Sequence, residues 1–239
     1  MGKTVVACAF AAWARHHGLD VGVMKPVATG GRFSANGTAG RWIADDAKRL
    51  ASSAGVDDPW PLVNPVCFRE PLAPWTAAMR ARAPIRLDAV LDAFRALSRR
   101  HQFLIVEGVG GLSVPLGPRA TVADLAKRLG LPLVLVARPG LGTLNHTLLT
   151  LAYARRYGLR VRGLIVNYAS PPSREPMARV AERTNPRILT RIGRVPFIGE
   201  LPFLRALNGR HRVTPADTRT LSRWLGRHLD QKFLDELTD

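Results

Sequence analysis

A Gly-Lys-Thr tripeptide stands at the start of the chain, at Gly2, Lys3 and Thr4. This tripeptide ends the phosphate-binding loop G-x-x-x-x-G-K-[ST], in which backbone N–H groups and the lysine bind phosphates and the hydroxyl binds Mg²⁺. Such a loop normally follows a buried strand, and here neither the strand nor the first glycine precedes Gly2. Either the match is accidental, or the front of a nucleotide-binding site is missing.

Three further positions carry side chains suited to phosphate and metal chemistry. Lys25 follows an apolar run and precedes a proline and a glycine-rich stretch. Its side chain is expected to point either into a ligand crevice or outward to water. Asp45 and Asp46 begin a helical pattern, where they either cap the helix or bind a metal. Glu107 ends the apolar run "FLIV". A carboxylate buried there needs a partner, and a divalent ion is a suitable one.

These residues fall at the ends of strands in a predicted α/β sheet. Continuous apolar runs alternate with amphipathic helical stretches, which predicts a parallel sheet covered by helices on both faces. In such sheets ligands bind at the carboxyl ends of the strands. The predicted strand ends are Lys25, Glu107, Arg138 and Asn167, each followed by a loop with Gly or Pro.

The apolar periodicity also predicts the order of the elements. Buried strands are expected over residues 20–26, 103–108, 132–137 and 161–167. Helices are expected over residues 4–17, 44–55, 86–101, 121–130, 143–158 and 173–185. We expect a glycine-rich loop over 28–41, an irregular proline-broken segment over 62–75 and a C-terminal helix within 215–239.

Composition indicates one globular domain. The chain has 239 residues, 46% of them hydrophobic and 22% charged, and no apolar run approaches the roughly 18 residues of a membrane span. Cys8 and Cys67 show no metal or redox spacing, which predicts buried thiols in the reducing cytoplasm. The net charge of +17 comes mostly from scattered Arg. It favours anionic partners, such as nucleic acid or nucleotide phosphates, unless these faces are only solvated.

Five segments carry a family resemblance: "KPVATG", "VEGVGGLSVPL", "LPLVLVARPGLGTLNHTLLTL", "GLIVN" and "GELP". In order and spacing they resemble the dethiobiotin synthase family, from Gly2 to about Phe203. The second and third segments are specific, since neither is a general phosphate-loop signature. The resemblance implies a single P-loop NTPase-like domain over 1–239, with a doubly wound, mostly parallel sheet. The basic helical part from about 204 to 239 lies beyond the family motifs.

The resemblance also implies an activity. Family members use ATP and Mg²⁺ to join CO₂ to 7,8-diaminononanoate and close the ureido ring of dethiobiotin. One amine becomes a carbamate whose oxygen attacks the γ-phosphate, and the second amine captures the resulting carbamic-phosphoric anhydride. The family further implies that the protein is a homodimer and that its ligands are these small-molecule substrates. Nucleic acid is not an expected partner, despite the charge.

Roles for individual residues follow from the same resemblance. Lys3 is expected to bind phosphate, and Lys25 to lie between the carbamate and the γ-phosphate. Thr29 is expected to contact the diamine or its carbamate. The expected Mg²⁺ ligands are Thr4, Asp46 and Glu107.

The nucleotide and substrate sites are expected to include further residues. Asn167 is expected to read the adenine base. The other nucleotide-site residues are Gly2, Gly108, Val109, Gly110, Tyr168, Leu201, Pro202 and Phe203. The substrate site is expected to include Gly111 and a loop that reaches the neighbour's substrate in the dimer, formed by Gly142, Thr143, Leu144 and Asn145.

The start of the chain departs from the family pattern. Members carry a strand and a loop similar to G-T-D-T-G-V-G-K-T, of which only the last three residues are present. Loss of that first, inner strand predicts exposed apolar faces and unpaired strand edges. Met1 stands where the pattern usually has valine, and the valine codon GTG is also a bacterial start codon. Our hypothesis is that the coding sequence begins upstream; a stop codon immediately before codon 1 would contradict it.

Two other functions stay open at this point. A P-loop ATPase of the partitioning class would dimerise and bind DNA through the basic surface, but has no need for "KPVATG" or "EGVGGLSVPL". An inactive relative is the other possibility. Against it stands the joint presence of Lys3, Thr4, Lys25, Asp46, Glu107 and Asn167. The C-terminal part could close over the nucleotide, join the dimer or cover the sheet.

Overall fold

The computed structural model describes residues 1–34, 40–205 and 213–238. Its strands are β1 Val21–Met24, β2 Val27–Thr29, β3 Arg32–Ser34, β4 Arg41–Ile43, β5 Val66–Phe68, β6 Phe103–Val106, β7 Pro115–Gly117, β8 Ala120–Thr121, β9 Leu133–Ala137, β10 Val161–Asn167 and β11 Phe197–Leu201. Its helices are α1 Lys3–His16, α2 Asp45–Ala54, α3 Trp60–Val63, α4 Pro74–Arg80, α5 Leu87–Ser98, α6 Val122–Leu129, α7 Thr143–Arg156, α8 Pro176–Ile192, α9 Pro215–His228 and α10 Gln231–Asp235.

The main strands run parallel, as predicted, but form two separate groups. β1 pairs with β6, with Val21 opposite Phe103. β10 pairs with both β9 and β11, giving the order β11-β10-β9. Within the described ranges, no ladder joins β6 to β9. The sheet therefore has an unpaired edge on each side of a central gap, as expected for a sheet that lacks an inner strand.

Helix α1 forms the centre of the largest core cluster. Its residues 6–14 are all buried, because the helix is apolar all round and packs against other elements on several sides. Contacts with α2, α9, β1 and β6 cover it.

The C-terminal part covers α1 and β11. Helix α9 packs on both elements, with Leu221, Trp224 and Leu225 in the same core cluster as α1. Of the three roles considered for this part, the contact of α9 with β11 supports covering the sheet; the roles at the nucleotide and in a dimer stay predictions. Two helices stand where one was expected, because Asp230 caps a new helix by accepting a hydrogen bond from the Phe233 N–H at 2.9 Å. Residues 206–212 lie outside the described residues.

Two sequence predictions were wrong in detail. The expected loop over 28–41 contains β3 and β4, an antiparallel pair with Phe33 packed edge-on against Trp42; residues 35–39 lie outside the described residues. The expected irregular segment over 62–75 contains β5, which pairs with β2. β7, β8 and β11 were not predicted either. β3, β4, β5, β7 and β8 have two or three residues each and are too short to show a period. The five-residue β11 contains Gly199, which interrupts its apolar run.

Membrane insertion finds no support in the helices. Throughout the described part of the chain, every helix is too short or too polar to cross a bilayer.

His101 ties three segments together near the amino ends of β1 and β6. Its Nδ1 lies 2.8 Å from an Asp20 oxygen and its Nε2 lies 2.8 Å from an Asp58 oxygen. Burial opposes the imidazolium charge, but the hydrogen bonds and charges of the two carboxylates outweigh it and raise the pKa of His101. A raised pKa means that protonated His101 stabilises the fold below the unfolded pKa of about 6.5, and that this contribution is lost as pH rises through the folded-state value.

We therefore expect His101→Gln to cost about 1 kcal/mol of unfolding free energy near pH 6, and less as the pH rises. The measurement is urea denaturation of both proteins from pH 5.5 to 9. His16→Gln removes an exposed histidine and serves as the control for a general effect of histidine removal. A His101→Gln difference that grows with pH would contradict the assignment.

Candidate active site

The ends of β1 and β6 meet the amino ends of α1 and α2 around one polar cavity of about 250 Å³. All of its lining residues except Ala28 were predicted from the sequence as site residues. They are Gly2, Lys3, Thr4, Lys25, Thr29, Asp46, Glu107, Gly108, Val109 and Gly110. The structure thus brings together residues from four separate stretches of the chain.

Lys25 points into this cavity and not outward to water. Its Nζ lies 2.7 Å from Glu107 Oε1 and 3.5 Å from Asp46 Oδ2, and it donates a hydrogen bond to the Gly108 carbonyl at 3.4 Å. The Lys25 and Glu107 side chains are only 5% and 3% exposed, whereas the Asp46 side chain is 47% exposed. The ion pair is therefore shielded on one side and open to a ligand at Asp46.

Glu107 leaves one oxygen available to a metal. Its Oε1 accepts hydrogen bonds from the Thr4 hydroxyl at 2.6 Å and from Lys25. Its Oε2 is buried and has no hydrogen-bond partner, which is costly for a carboxylate. The described residues contain no cluster of three or more His, Cys, Asp or Glu side chains that could hold a metal. Mg²⁺, however, needs only one or two carboxylates when phosphates and waters supply the rest, so the oxygens of Thr4, Asp46 and Glu107 fit it.

The start of α1 is built to receive an anion. Gly2 has φ of +74°, and a Cβ there would lie 2.5 Å from Asn167 Nδ2, so only glycine fits. Burial and the charge of Lys25 lower the pKa of Lys3. A negative ligand would offset both effects, and the free N–H groups of the first helical turn also favour one.

Asn64, which sequence reasoning missed, holds the backbone around Lys25. It is fully buried, and its Nδ2 donates to the Lys25 carbonyl at 2.8 Å and to the Val66 carbonyl at 3.2 Å. Its Oδ1 accepts from the N–H of Ala44, the residue before α2, at 3.2 Å. One side chain thus links the end of β1, which carries Lys25, to the start of α2, which carries Asp46. The only signal in the sequence was the turn-forming dipeptide Asn64-Pro65.

The predicted base-binding residues lie at neighbouring strand ends, outside the polar cavity. Asn167 ends β10 and donates from Nδ2 to the Met1 carbonyl at 2.8 Å. The Tyr168 N–H donates to the Leu201 carbonyl at 2.9 Å. Leu201 is buried, Phe203 is half-buried and Pro202 is exposed.

Apart from Thr29, which lines the polar cavity, the residues predicted at the substrate lie outside it. Gly111 and Thr143 line a second, larger cavity. Thr143 is buried, whereas Gly142 and Asn145 are exposed and Leu144 is half-buried at the start of α7. Within the described residues, the hydrogen bonds and ion pairs of Lys25 and Glu107 involve Thr4, Asp46 and Gly108 and no residue of this loop.

Comparison with known proteins places the chain in a family. A family model described as an AAA domain matches residues 1–211. The ATP-dependent dethiobiotin synthetase of Bacillus licheniformis is 40% identical over 207 residues, which cover 85% of this chain and 82% of that protein. The synthetase of Thermodesulfovibrio yellowstonii is 36% identical over 215 residues, covering 87% and 86%. The chain belongs to the family of ATP-dependent dethiobiotin synthetases.

Solved structures confirm the predicted fold of this synthetase family member. The septum site-determining protein MinD of Pyrococcus horikoshii, complexed with Mg-ADP, matches with a TM-score of 0.52 and 16% identity over 95% of this chain and 90% of that one. A ParA family ATPase from Chlorobium tepidum matches with a TM-score of 0.51 and 16% identity over 100% and 93%. At such identities the likeness concerns the α/β fold alone.

Asn64→Ala is expected to weaken the synthetase site as well as the fold. It leaves the Lys25 carbonyl, the Val66 carbonyl and the Ala44 N–H without their partner, which should cost about 1–3 kcal/mol. Because Lys25 and Asp46 lose their common support, kcat/KM should also fall about tenfold or more. Thr214→Ala is the control: Thr214 caps α9 by accepting a hydrogen bond from the Asp217 N–H at 3.3 Å, and α9 contributes no residue to the polar cavity, so this variant should lose about 1 kcal/mol. It should keep kcat/KM. Equal kinetic losses in both variants would contradict a positioning role for Asn64.

Proposed function

We propose that this protein catalyses the ATP-dependent carboxylation and ring closure of 7,8-diaminononanoate with CO₂, giving dethiobiotin in biotin biosynthesis. One observation carries the proposal: Lys3, Lys25 and Glu107 converge on one cavity at the start of α1, in a chain of the synthetase family. Two cations beside a helix N-terminus suit a phosphoryl group, and the shielded Lys25–Glu107 pair gives the cavity a fixed charge distribution.

The chemistry requires three bonds to form in sequence. One substrate amine attacks CO₂ and loses a proton, which gives a carbamate. A carbamate oxygen then attacks the γ-phosphorus, ADP leaves, and a carbamic-phosphoric anhydride results. The second amine attacks its carbonyl carbon, loses a proton and expels phosphate, which closes the ring. Because the second step brings the anionic carbamate to the anionic γ-phosphate, Lys25 is placed to offset the charge between them, and Lys3 to hold the phosphates.

Thr4, Asp46 and Glu107 would hold the Mg²⁺ that the reaction needs. The ion would supply charge neutralisation on the ATP phosphates. Thr29 lines the same cavity, where its hydroxyl can bind the diamine or its carbamate. Gly111, which follows the cavity-lining residues Gly108 to Gly110, is proposed to contact the substrate from the adjoining cavity.

The adenine end of ATP is assigned to the strand ends beside the cavity. Asn167 lies against Gly2, which places the end of β10 beside the proposed phosphate site, and we assign the reading of the base to Asn167. Tyr168, Leu201, Pro202 and Phe203 follow from the ends of β10 and β11 and would flank the base.

We also propose a homodimer formed through α7 and α8. Large apolar side chains are exposed there, which is a common mark of an interface. They include Leu141, Leu149, Met177, Ile188 and Ile192. The loop from Gly142 to Asn145 borders this surface and is therefore placed to reach a neighbouring subunit. Both cysteines are free, which suits the cytoplasm as the location.

Incorporation of labelled bicarbonate into dethiobiotin, with ATP, Mg²⁺ and 7,8-diaminononanoate supplied, tests the proposal. We expect labelled product that depends on all three additions, together with one ADP per product. Folded protein that forms no product would overturn the enzyme function and favour an inactive relative. If that protein instead binds DNA with a steep salt dependence, the partitioning-type ATPase would be favoured.

A further inference from the structure

Asn185 is a buried polar side chain that no step of the proposed reaction uses. It lies in the middle of α8 and is 7% exposed. Its Nδ2 donates one hydrogen bond to the Pro139 carbonyl at 2.8 Å and another to the Gly140 carbonyl at 3.2 Å. Both N–H groups of the amide are therefore used. Burying an amide is costly without such bonds, so this side chain links α8 to the turn between β9 and α7.

The turn between β9 and α7 depends on this link for its position. Arg138 donates to the Leu141 carbonyl at 3.2 Å. The Thr143 N–H donates to the Gly140 carbonyl, also at 3.2 Å. Both donors lie close in sequence to their acceptors, so these bonds shape the turn only locally. Among the described residues, Asn185 is the only hydrogen-bond donor to this turn from another part of the chain. It therefore sets where the turn and the start of α7 lie relative to the rest of the domain.

A second link ties α8 to the domain about one turn before Asn185, because the helix contains Pro186. A proline inside a helix has no N–H for the carbonyl four residues earlier, which here belongs to Glu182. The Tyr168 hydroxyl lies 3.0 Å from that carbonyl and 2.9 Å from a Glu200 carboxylate oxygen, and it can donate to either. When it donates to Glu182, it replaces the hydrogen bond that Pro186 cannot make and joins α8 to the end of β10.

Helix α8 thus lies between two regions to which the proposed function assigns different ligands. On one side, Tyr168 follows Asn167, to which the adenine base is assigned. On the other side, Asn185 holds the turn that leads into residues 142–145, which are assigned to the substrate. Gly142 has a φ of +85°, and a glycine there leaves the backbone free to adopt other conformations. The turn therefore needs a support from outside to keep one shape.

We infer that Asn185 is a positioning residue for the substrate, acting through the turn between β9 and α7. By fixing the Pro139 and Gly140 carbonyls, it keeps residues 142–145 where they can contact 7,8-diaminononanoate, and this lowers the KM for the diamine. The proposed ATP site is built from other contacts and does not depend on the Asn185 amide. The inference rests on the proposed function, because the substrate role of residues 142–145 belongs to it.

Steady-state kinetics with the diamine and ATP varied in turn test this role. Asn185→Leu keeps the side-chain volume and removes both N–H donors. We expect its KM for the diamine to rise about tenfold, because a small displacement of a positioning group has a large effect on binding geometry, while its KM for ATP stays close to that of the parent. A purely structural residue would lower the melting temperature and the amount of active enzyme but change neither KM. An unchanged KM for the diamine, or equal rises in both KM values, would overturn the inference.

Glu175→Ala is the matched control on the same helix. Glu175 caps α8 by accepting hydrogen bonds from the N–H groups of Met177, at 2.9 Å, and Ala178. Its loss should lower the melting temperature by weakening the first turn of α8, well before Asn185, and leave both KM values unchanged. If Glu175→Ala raised the KM for the diamine as much as Asn185→Leu, any weakening of α8 would move the turn, and Asn185 would have no role of its own. Asn185→Ala, which needs no additional space, takes the place of Asn185→Leu if the leucine variant does not fold.

Hydrogen exchange separates a failure of this inference from a failure of the proposed function, because it needs no turnover. The amides of Thr143 and His146 bond to the Gly140 and Gly142 carbonyls. In Asn185→Leu we expect these amides to exchange about tenfold faster than in the parent, with α5 unchanged. Equal exchange in both proteins would overturn the positioning role even if dethiobiotin is made. Faster exchange with an unchanged KM for the diamine would also overturn it, because the turn would then not reach the substrate. A parent that forms no dethiobiotin contradicts the proposed function, and the exchange rates then still decide whether Asn185 holds the turn.

Discussion

Replacement of Lys25 by methionine is expected to lower kcat/KM for dethiobiotin formation by about a hundred- to a thousandfold. The Lys25 ammonium is buried in the polar cavity, 2.7 Å from Glu107 and 3.5 Å from Asp46. Water cannot replace it there as a counter-charge for the carbamate and the γ-phosphate. Methionine preserves most of the volume and removes the charge, so the loss should reflect electrostatics more than packing. Steady-state kinetics and the melting temperature are measured together.

Two further lysine variants make the result specific. Lys127→Met removes an exposed lysine of α6, and its kcat/KM should stay within about twofold of the parent. Lys25→Arg keeps the positive charge and the ion pair with Glu107, so the protein should keep its stability. Because it replaces a compact ammonium group with a planar guanidinium group, it should lose most of its activity. If folded Lys25→Met retained more than a tenth of the parent kcat/KM, Lys25 would have no direct part in the reaction.

The long helices and strands could be predicted from the sequence because their apolar pattern repeats several times within each element. The apolar strand 161–167 and the amphipathic helices 86–101 and 143–158 repeat their signal over a whole element, and β10, α5 and α7 lie there. The short strands β2 to β5 carry too few residues to show a period, and their pairing depends on contacts between distant segments. The gap between β6 and β9 was expected only because the family pattern includes a strand that is absent here.

The sequence predicted which residues belong to the site, but it did not predict the distances and pairings between them. Lys25 and Glu107 were each recognised at a strand end, but their 2.7 Å ion pair depends on the parallel register of β1 and β6, which no local pattern encodes. Asn64 gave no chemical signal, because a buried amide that supports the backbone looks like any turn residue in sequence. The unpaired Glu107 Oε2 becomes visible only once every neighbour is in place.

Glu107→Leu is expected to be the most destabilising change in the site. It leaves the buried Lys25 ammonium with only the half-exposed Asp46 at 3.5 Å, and loss of one partner of a buried ion pair typically costs about 3–5 kcal/mol. It also removes the carboxylate that accepts the hydrogen bond of the Thr4 hydroxyl and that is proposed to bind Mg²⁺, so activity should be lost. Urea denaturation followed by tryptophan fluorescence gives the unfolding free energy. Asp88→Leu, which breaks the exposed pair with Arg128, should cost less than about 1 kcal/mol.

The double variant Lys25→Met/Glu107→Leu separates the structural from the chemical contribution of the pair. With both charges gone, neither member of the buried Lys25–Glu107 pair is left as an uncompensated ion, so the double variant should recover most of the stability that Glu107→Leu loses. It should recover no dethiobiotin formation, because the ammonium and the carboxylate are both absent. If the double variant were as unstable as the sum of the two single variants, the pair would not be coupled as its 2.7 Å separation implies. If it regained activity, neither residue would belong to the reaction.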